Sequence, residues 1–425
     1  MRNHFILSNA RLIDPELDKE FDGALEIKDG LIYKFHKVTP DLNIKNIDCQ
    51  GKYLAPGIID IGVKICEPGE RHKESFKTAG QAAAAGGVTT MVTRADTIPT
   101  VDTPEILSFM LKRASEATPV NISPMACLTK GRNGREMVEM SFLMDSGAVA
   151  FSDGDHVLTD IKVFIRALTY AKSLNALVIA HPQEPTLSKG ATSTSGKFAS
   201  LRGLPAVSAM AERIGLERDL AVVEMTGASY HADQISTASS LPALIRAKKL
   251  GLDVTAGISI HHLTLNELDV GDYKTFFKVK PPLRSEQDRE LMVDAIKNGV
   301  IDIICSMHTP QDEESKRLPF ETAASGAVGL ETLLPAALRL YHSNGISLNL
   351  LWKALSLTPA RRLGLPGGVL KKGAPADLII FDPNLPFILD RETLKSKSKN
   401  TPFDGQRMQG RVLKTFVAGE EIYSS

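Results

Sequence analysis

Apolar positions along this chain fall into two rhythms. Over residues 1–55 they form short runs, Phe5–Leu7, Arg11–Ile13 and Ala24–Ile27, separated by polar turns, and Asp29-Gly30 stands directly before Leu31-Ile32-Tyr33. Asp-Gly supplies two residues that tolerate a left-handed backbone, so the pair predicts a tight hairpin in an antiparallel sheet. The same texture returns in Ala376–Phe381 and Gly410–Tyr423. The two ends, 1–55 and 362–425, are therefore expected to build one small β-sandwich around a different middle.

Across residues 56–361 short β-rich runs alternate with amphipathic helical stretches. The runs are Leu54–Val63, Val88–Val92, Val120–Pro124, Ala148–Phe151, Leu177–Ala180, Ala221–Met225, Leu252–Ile258 and Ile301–Ile304. Eight runs with helices between them predict an α/β (β/α)8 barrel. Chemistry in that fold sits where the strands end, so the residues just after each run are the candidates. Lys189–Gly203, rich in Gly, Ser and Thr, reads as a flexible loop near the mouth. Its Gly190–Lys197 segment has one residue too many between the glycines for a phosphate loop.

Composition narrows the classes. The chain has 425 residues, 43% of them hydrophobic, enough for a sizeable core. Fifty Lys and Arg balance fifty Asp and Glu, so no net field draws nucleic acid or an anionic membrane surface. Cys49, Cys66, Cys127 and Cys305 show no C-x-x-C spacing, which suits reduced thiols in a cytoplasm. No apolar run approaches the length that spans a bilayer.

The strand ends carry a resemblance. The segment Pro56-Gly57-Ile58-Ile59-Asp60-Ile61-Gly62-Val63-Lys64-Ile65-Cys66-Glu67-Pro68-Gly69 resembles the pattern P-G-x-I-D-x-H-V-H-x-R-E-P-G of the dihydroorotase family, within the cyclic amidohydrolases. Pro281–Glu286, Val328–Thr332, Leu357–Ala360 and Asn400–Gly405 are similar to further segments of that family. The resemblance runs over nearly the whole chain and implies a zinc hydrolase acting on a cyclic amide. It also implies a binuclear site at Gly62, Lys64, Asp153, His181, Gln234 and Met307. Only Asp153 and His181 keep ligand-type side chains there. A hydrolytic zinc site needs three protein ligands and an open position for water.

At Met307 the family has an Asp that binds metal and carries the proton, a task a thioether cannot perform. Metal lowers the pKa of bound water from about 15.7 to about 7, so its loss forfeits on the order of 12 kcal/mol in hydroxide supply. The substrate positions implied by the family fall at Cys66, Asp96, Lys280 and Gln311, all altered. The segment Ala324-Ser325-Gly326 replaces the family's Pro-Phe-Gly lid.

The expected reading is a non-catalytic homologue, without cofactor, and the resemblance to inactive members implies aspartate transcarbamoylase as partner in a larger oligomer. An active zinc-dependent dihydroorotase or related amidohydrolase with an atypical site stays open, as does small-ligand sensing at the mouth. Lys64 is expected to replace the metal's charge by pairing with Asp153. Lys64, Lys280 and Cys66 are candidates for a new anion-binding or reactive site. The pair His261-His262, with His156, His231 and His308, reads as structural, His308 lying nearest the mouth.

Overall fold

The structure, a computed structural model, describes residues 4–39 and 44–425. Eight parallel strands form the barrel in chain order: Ile58–Val63, Val88–Thr93, Asn121–Ala126, Ala150–Phe151, Leu177–Ala180, Ser229–Ala232, Val254–Ser259 and Ile303–Cys305. Between the eighth and first strands the backbone of Ser306 donates to Asp60 Oδ1 at 2.8 Å, and Lys64 N donates to the His308 carbonyl at 2.9 Å. These bonds stitch the seam. Burial pushes the Asp60 carboxyl up to about 6 against the pull of the Ser306 hydrogen bonds.

One predicted strand is helix. Ala221–Met225 lies in the helix Met210–Thr226, and the sixth barrel strand is Ser229–Ala232. Leu216, Leu220 and Val223 recur at helical spacing and are buried, whereas the true strand buries the polar Tyr230 and His231, one on each face. Tyr230 can be buried because its hydroxyl donates to Asp219 on that helix at 2.8 Å.

The segment predicted as a flexible loop is also structured. Ser193–Thr194 pairs with Ala206–Val207, and Lys197–Arg202 is helical. Thr194 Oγ1 ties it down by donating to the Leu283 carbonyl at 2.9 Å and accepting from Arg284 Nη1 at 3.2 Å.

A second eight-stranded sheet takes its strands from both chain regions outside the barrel. The strand His4–Asp14 pairs along one edge with Lys19–Lys28 and along the other first with Lys45–Asp48 and then with Tyr53–Pro56. Tyr53–Pro56 in turn pairs antiparallel with Leu378–Phe381, which joins the two regions. Leu7, Leu12, Leu25, Leu54, Leu378 and Phe416 form its separate core. The predicted hairpin is present: Lys28 faces Leu31, with Asp29 and Gly30 at φ of 55° and 80°. Among the described residues no helix is long and apolar enough to cross a membrane.

Candidate functional site at the barrel mouth

The first barrel strand ends at Gly62, Lys64 and Cys66. Gly62 has φ +87°, and a Cβ there would lie 3.0 Å from Met307 Sδ. Met307, itself at φ +47°, thus lays its thioether over the place from which a side chain at 62 would project. Cys66 is buried, and desolvation pushes its thiol up to about 12 despite the opposing charge of Lys64. A thiol so held is not a nucleophile near neutral pH, which sets aside the reactive alternative for Cys66 and leaves it as inert filler.

The expected Lys64–Asp153 ion pair does not form. Asp153 Oδ1 accepts the backbone N–H groups of Leu128 and Thr129 at 2.9 and 3.0 Å, and Oδ2 accepts the Thr129 hydroxyl at 2.5 Å. The loop after the third strand has therefore saturated this carboxylate, while burial raises its pKa against those bonds. Lys64 reaches Asp96 Oδ2 at 3.4 Å and Glu70 Oε2 at 3.6 Å instead. Asp96 is thus neutralised by its own protein; Arg94 Nη2 also donates to its Oδ2 at 2.8 Å.

Three residues the sequence did not single out complete an ionic web. Asp155 is approached by Arg132 Nη2 at 2.9 Å, Lys280 Nζ at 3.1 Å and Arg94 Nη2 at 3.7 Å. Burial acts to raise the Asp155 carboxyl, yet Arg94, Lys280 and Arg132 outweigh it and hold it far below the usual carboxylate range. Gly154, at φ +62°, permits the convergence, since a Cβ there would meet Arg94 and Arg132 Nη2 at 3.2 and 3.3 Å. The available signal was a charged Arg94 ending an apolar strand, two residues before Asp96, and Asp155 two residues beyond Asp153.

Deeper in the mouth, His181 is buried with neither ring nitrogen partnered by protein, and desolvation lowers it to about 4. Gln234 sits at φ +57° and donates from Nε2 to Asp233 Oδ2 at 3.2 Å. Among the described residues no three His, Cys, Asp or Glu side chains gather so as to hold a metal ion. Lys64 is ion-paired, Asp153 has its oxygens engaged and Met307 covers Gly62. The donor set does not fit a hydrolytic zinc site.

The histidines read as structural divide. His308 is fully buried; Nδ1 accepts from the Gly329 backbone at 3.2 Å, leaving Nε2 3.4 Å from Glu74 Oε2. His262 Nε2 donates to the Pro281 carbonyl at 3.1 Å, and His231 Nδ1 meets Thr255 Oγ1 at 2.8 Å. His156 lies outside, its Nδ1 3.1 Å from the Arg132 carbonyl. His261 lines a cavity of about 190 Å³ together with Lys64, Arg94, Lys280 and Gln311. Gln311 donates from Nε2 to the Ser325 carbonyl at 2.9 Å.

A parallel barrel whose mouth is ringed by strand-end polar residues, joined to a sheet from both chain regions, is the cyclic amidohydrolase scaffold. The L-hydantoinase (dihydropyrimidinase) from Arthrobacter aurescens superposes with a TM-score of 0.91 at 23% identity, covering 100% of this chain and 96% of that one. A D-hydantoinase (dihydropyrimidinase) from Thermus sp. gives 0.84 at 22% identity, with 99% and 95% covered. The family model described as Dihydro-orotase-like matches residues 51–240. The dihydroorotase of Ehrlichia canis (strain Jake) is 39% identical over 98% of this chain and 94% of its own length. That of Wolbachia sp. subsp. Drosophila simulans (strain wRi) is 38% identical over 98% and 95%. The chain belongs to the dihydroorotase family.

Proposed function

We propose that this chain is a non-catalytic dihydroorotase homologue that serves pyrimidine biosynthesis as a structural or regulatory partner of aspartate transcarbamoylase, in the cytoplasm and within an oligomer. The observation that carries the first part is Met307 lying 3.0 Å from the Cβ position of Gly62. Met307 stands where the family resemblance puts the proton-carrying Asp, and its thioether overlies the place of the first ligand. The remaining polar groups support the same reading. Lys64 and Asp153 are each committed to protein partners, so two further positions offer no free coordinating group. The transcarbamoylase part rests on the resemblance to inactive members of the family.

The test is dihydroorotase turnover in both directions on the purified chain supplied with zinc, with and without aspartate transcarbamoylase, alongside light scattering of the mixture. The expected result is no turnover by the chain alone and a heavier co-eluting species in the mixture. Zinc-dependent turnover by the chain alone sinks the non-catalytic reading; separate elution at micromolar concentrations sinks the partner.

A second reading, an active zinc-dependent dihydroorotase or related cyclic amidohydrolase with an atypical site, draws support from His181. Its two free nitrogens are an available ligand, in a chain 38% identical to proteins named dihydroorotase.

A further inference from the structure

Twelve buried side-chain polar atoms lack a protein partner among the described residues. Four of them sit on residues that line the cavity: Arg94 Nε, His261 Nε2, Asp96 Oδ1 and Gln311 Oε1. Buried polar groups are nearly always hydrogen-bonded, to protein, water or ligand, so four bare atoms around one cavity mark it as a place that water or a polar ligand fills.

Their hydrogen-bonding roles follow from their neighbours. The Ser259 hydroxyl oxygen accepts the His261 backbone N–H at 3.2 Å and lies 3.1 Å from His261 Nδ1. His261 Nε2 donates when the Ser259 hydroxyl gives its proton to Nδ1 and accepts in the other tautomer. Desolvation keeps that ring neutral, lowered to about 3. Gln311 spends its NH2 on Ser325, so its oxygen is the free end. Asp96 spends Oδ2 on Arg94 and Lys64, so Oδ1 is free. The wall thus offers one fixed donor, two acceptors and a His261 nitrogen that serves a ligand as donor or acceptor.

Charge selects further. Lys64, Arg94, Arg132 and Lys280 face the cavity against Asp96 and Asp155, two cations in excess on the wall. Behind it lie two further carboxylates, Asp153, held by backbone donors, and Asp233, held by Gln234, so the excess of cations belongs to the wall itself. A volume of about 190 Å³ falls short of the ~300–1,000 Å³ of pockets for drug-sized ligands.

We propose that the mouth binds a small carboxylic acid bearing a hydroxyl or amino group beside the acid. The acid faces Arg94, His261 and Lys280, and the donor group faces Asp96 and Gln311. The proposal deepens, and rests on, the reading of the mouth as non-catalytic.

The experiment is calorimetric titration of the full chain at fixed ionic strength with L-malate, L-aspartate, succinate and inorganic phosphate. Succinate keeps the two carboxylates and lacks the donor. Malate or aspartate is expected to bind about tenfold tighter than succinate, the discrimination of roughly 1.4 kcal/mol that an unmatched buried acceptor imposes. Arg94→Met should abolish saturable heat. Lys280→Ala, at the exposed rim, should weaken binding severalfold while leaving the melting temperature unchanged, and it decides the matter if Arg94→Met does not fold.

Absence of saturable heat with malate and aspartate, equal binding of succinate, or binding of phosphate alone overturns the proposal. Consumption of N-carbamoyl-L-aspartate in a parallel assay would instead overturn the non-catalytic reading, so the two failures are distinguishable.

Discussion

Two polar regions of this molecule, a few residues apart in sequence, have been treated oppositely. Behind the mouth lies a satisfied frame. Glu212, fully buried, accepts from Ser236 N, Thr237 N, Ser240 Oγ and Arg284 Nη2 at 3.1, 3.0, 2.8 and 3.4 Å. Glu74 accepts from the backbone of Ser75 at 3.2 Å and from the Ser396 hydroxyl in the same manner. On the inner wall, His181, Asp233, Asp96 and His261 keep atoms that no protein group answers. The frame sets the angle of the strand ends, and the wall carries what a ligand meets. The frame holds the barrel shape and the wall carries the chemistry, which is why fold and activity must be argued separately here.

The largest effect that bears on this contrast is acidification. His181 and His262 are lowered to about 4, and His231 and His261 to about 3, in each case by burial. Their unfolded values lie near 6.5. The unfolded chain therefore takes up protons first, so their contribution is complete above pH 6.5 and is lost as pH falls toward 4. Asp60 and Asp233, raised to about 6, act in the opposite sense, since the folded chain holds the extra protons between pH 6 and 4. With four groups against two, urea denaturation should show a loss on the order of several kcal/mol between pH 7 and 5. A flat profile would mean that solvent reaches the rings and that frame and wall do not differ in hydration.

Next in size is Glu212→Ala. It leaves Arg284 buried without its carboxylate and should cost about 3–5 kcal/mol by the same denaturation measurement. The smallest effect is the most discriminating. His181→Leu removes a buried imidazole that has no protein partner and should be neutral or stabilise by about 1 kcal/mol. A clear drop in melting temperature for that variant, with zinc raising the melting temperature of the wild-type chain and not of the variant, would show that His181 is answered by a metal and would close the gap between the regions.

Much of the architecture was legible because hydrophobic rhythm and turn chemistry are local. Asp29-Gly30 announced its hairpin, and seven of the eight barrel strands overlap apolar runs. The eighth was misplaced since Ala221–Met225 is equally apolar on a buried helix face, while the real strand hides its polarity in the Tyr230–Asp219 bond. The site was legible as a set of strand-end positions and illegible as a network. Lys64 pairs with Asp96 rather than Asp153 because backbone N–H groups of another loop had already claimed Asp153. Arg94, Arg132 and Asp155 come from three loops, and only the closed barrel brings them together.

The pairing of Tyr53–Pro56 with Leu378–Phe381 also governs how this chain is born. On the ribosome the Tyr53–Pro56 strand emerges early and its partner arrives more than three hundred residues later, on the order of tens of seconds at ordinary elongation rates. Throughout that interval the sheet presents an unpaired edge, the feature by which nascent chains stick to one another. The barrel strands all precede Leu378, so the barrel can close during the wait while the edge at Tyr53–Pro56 stays open until its partner strand arrives.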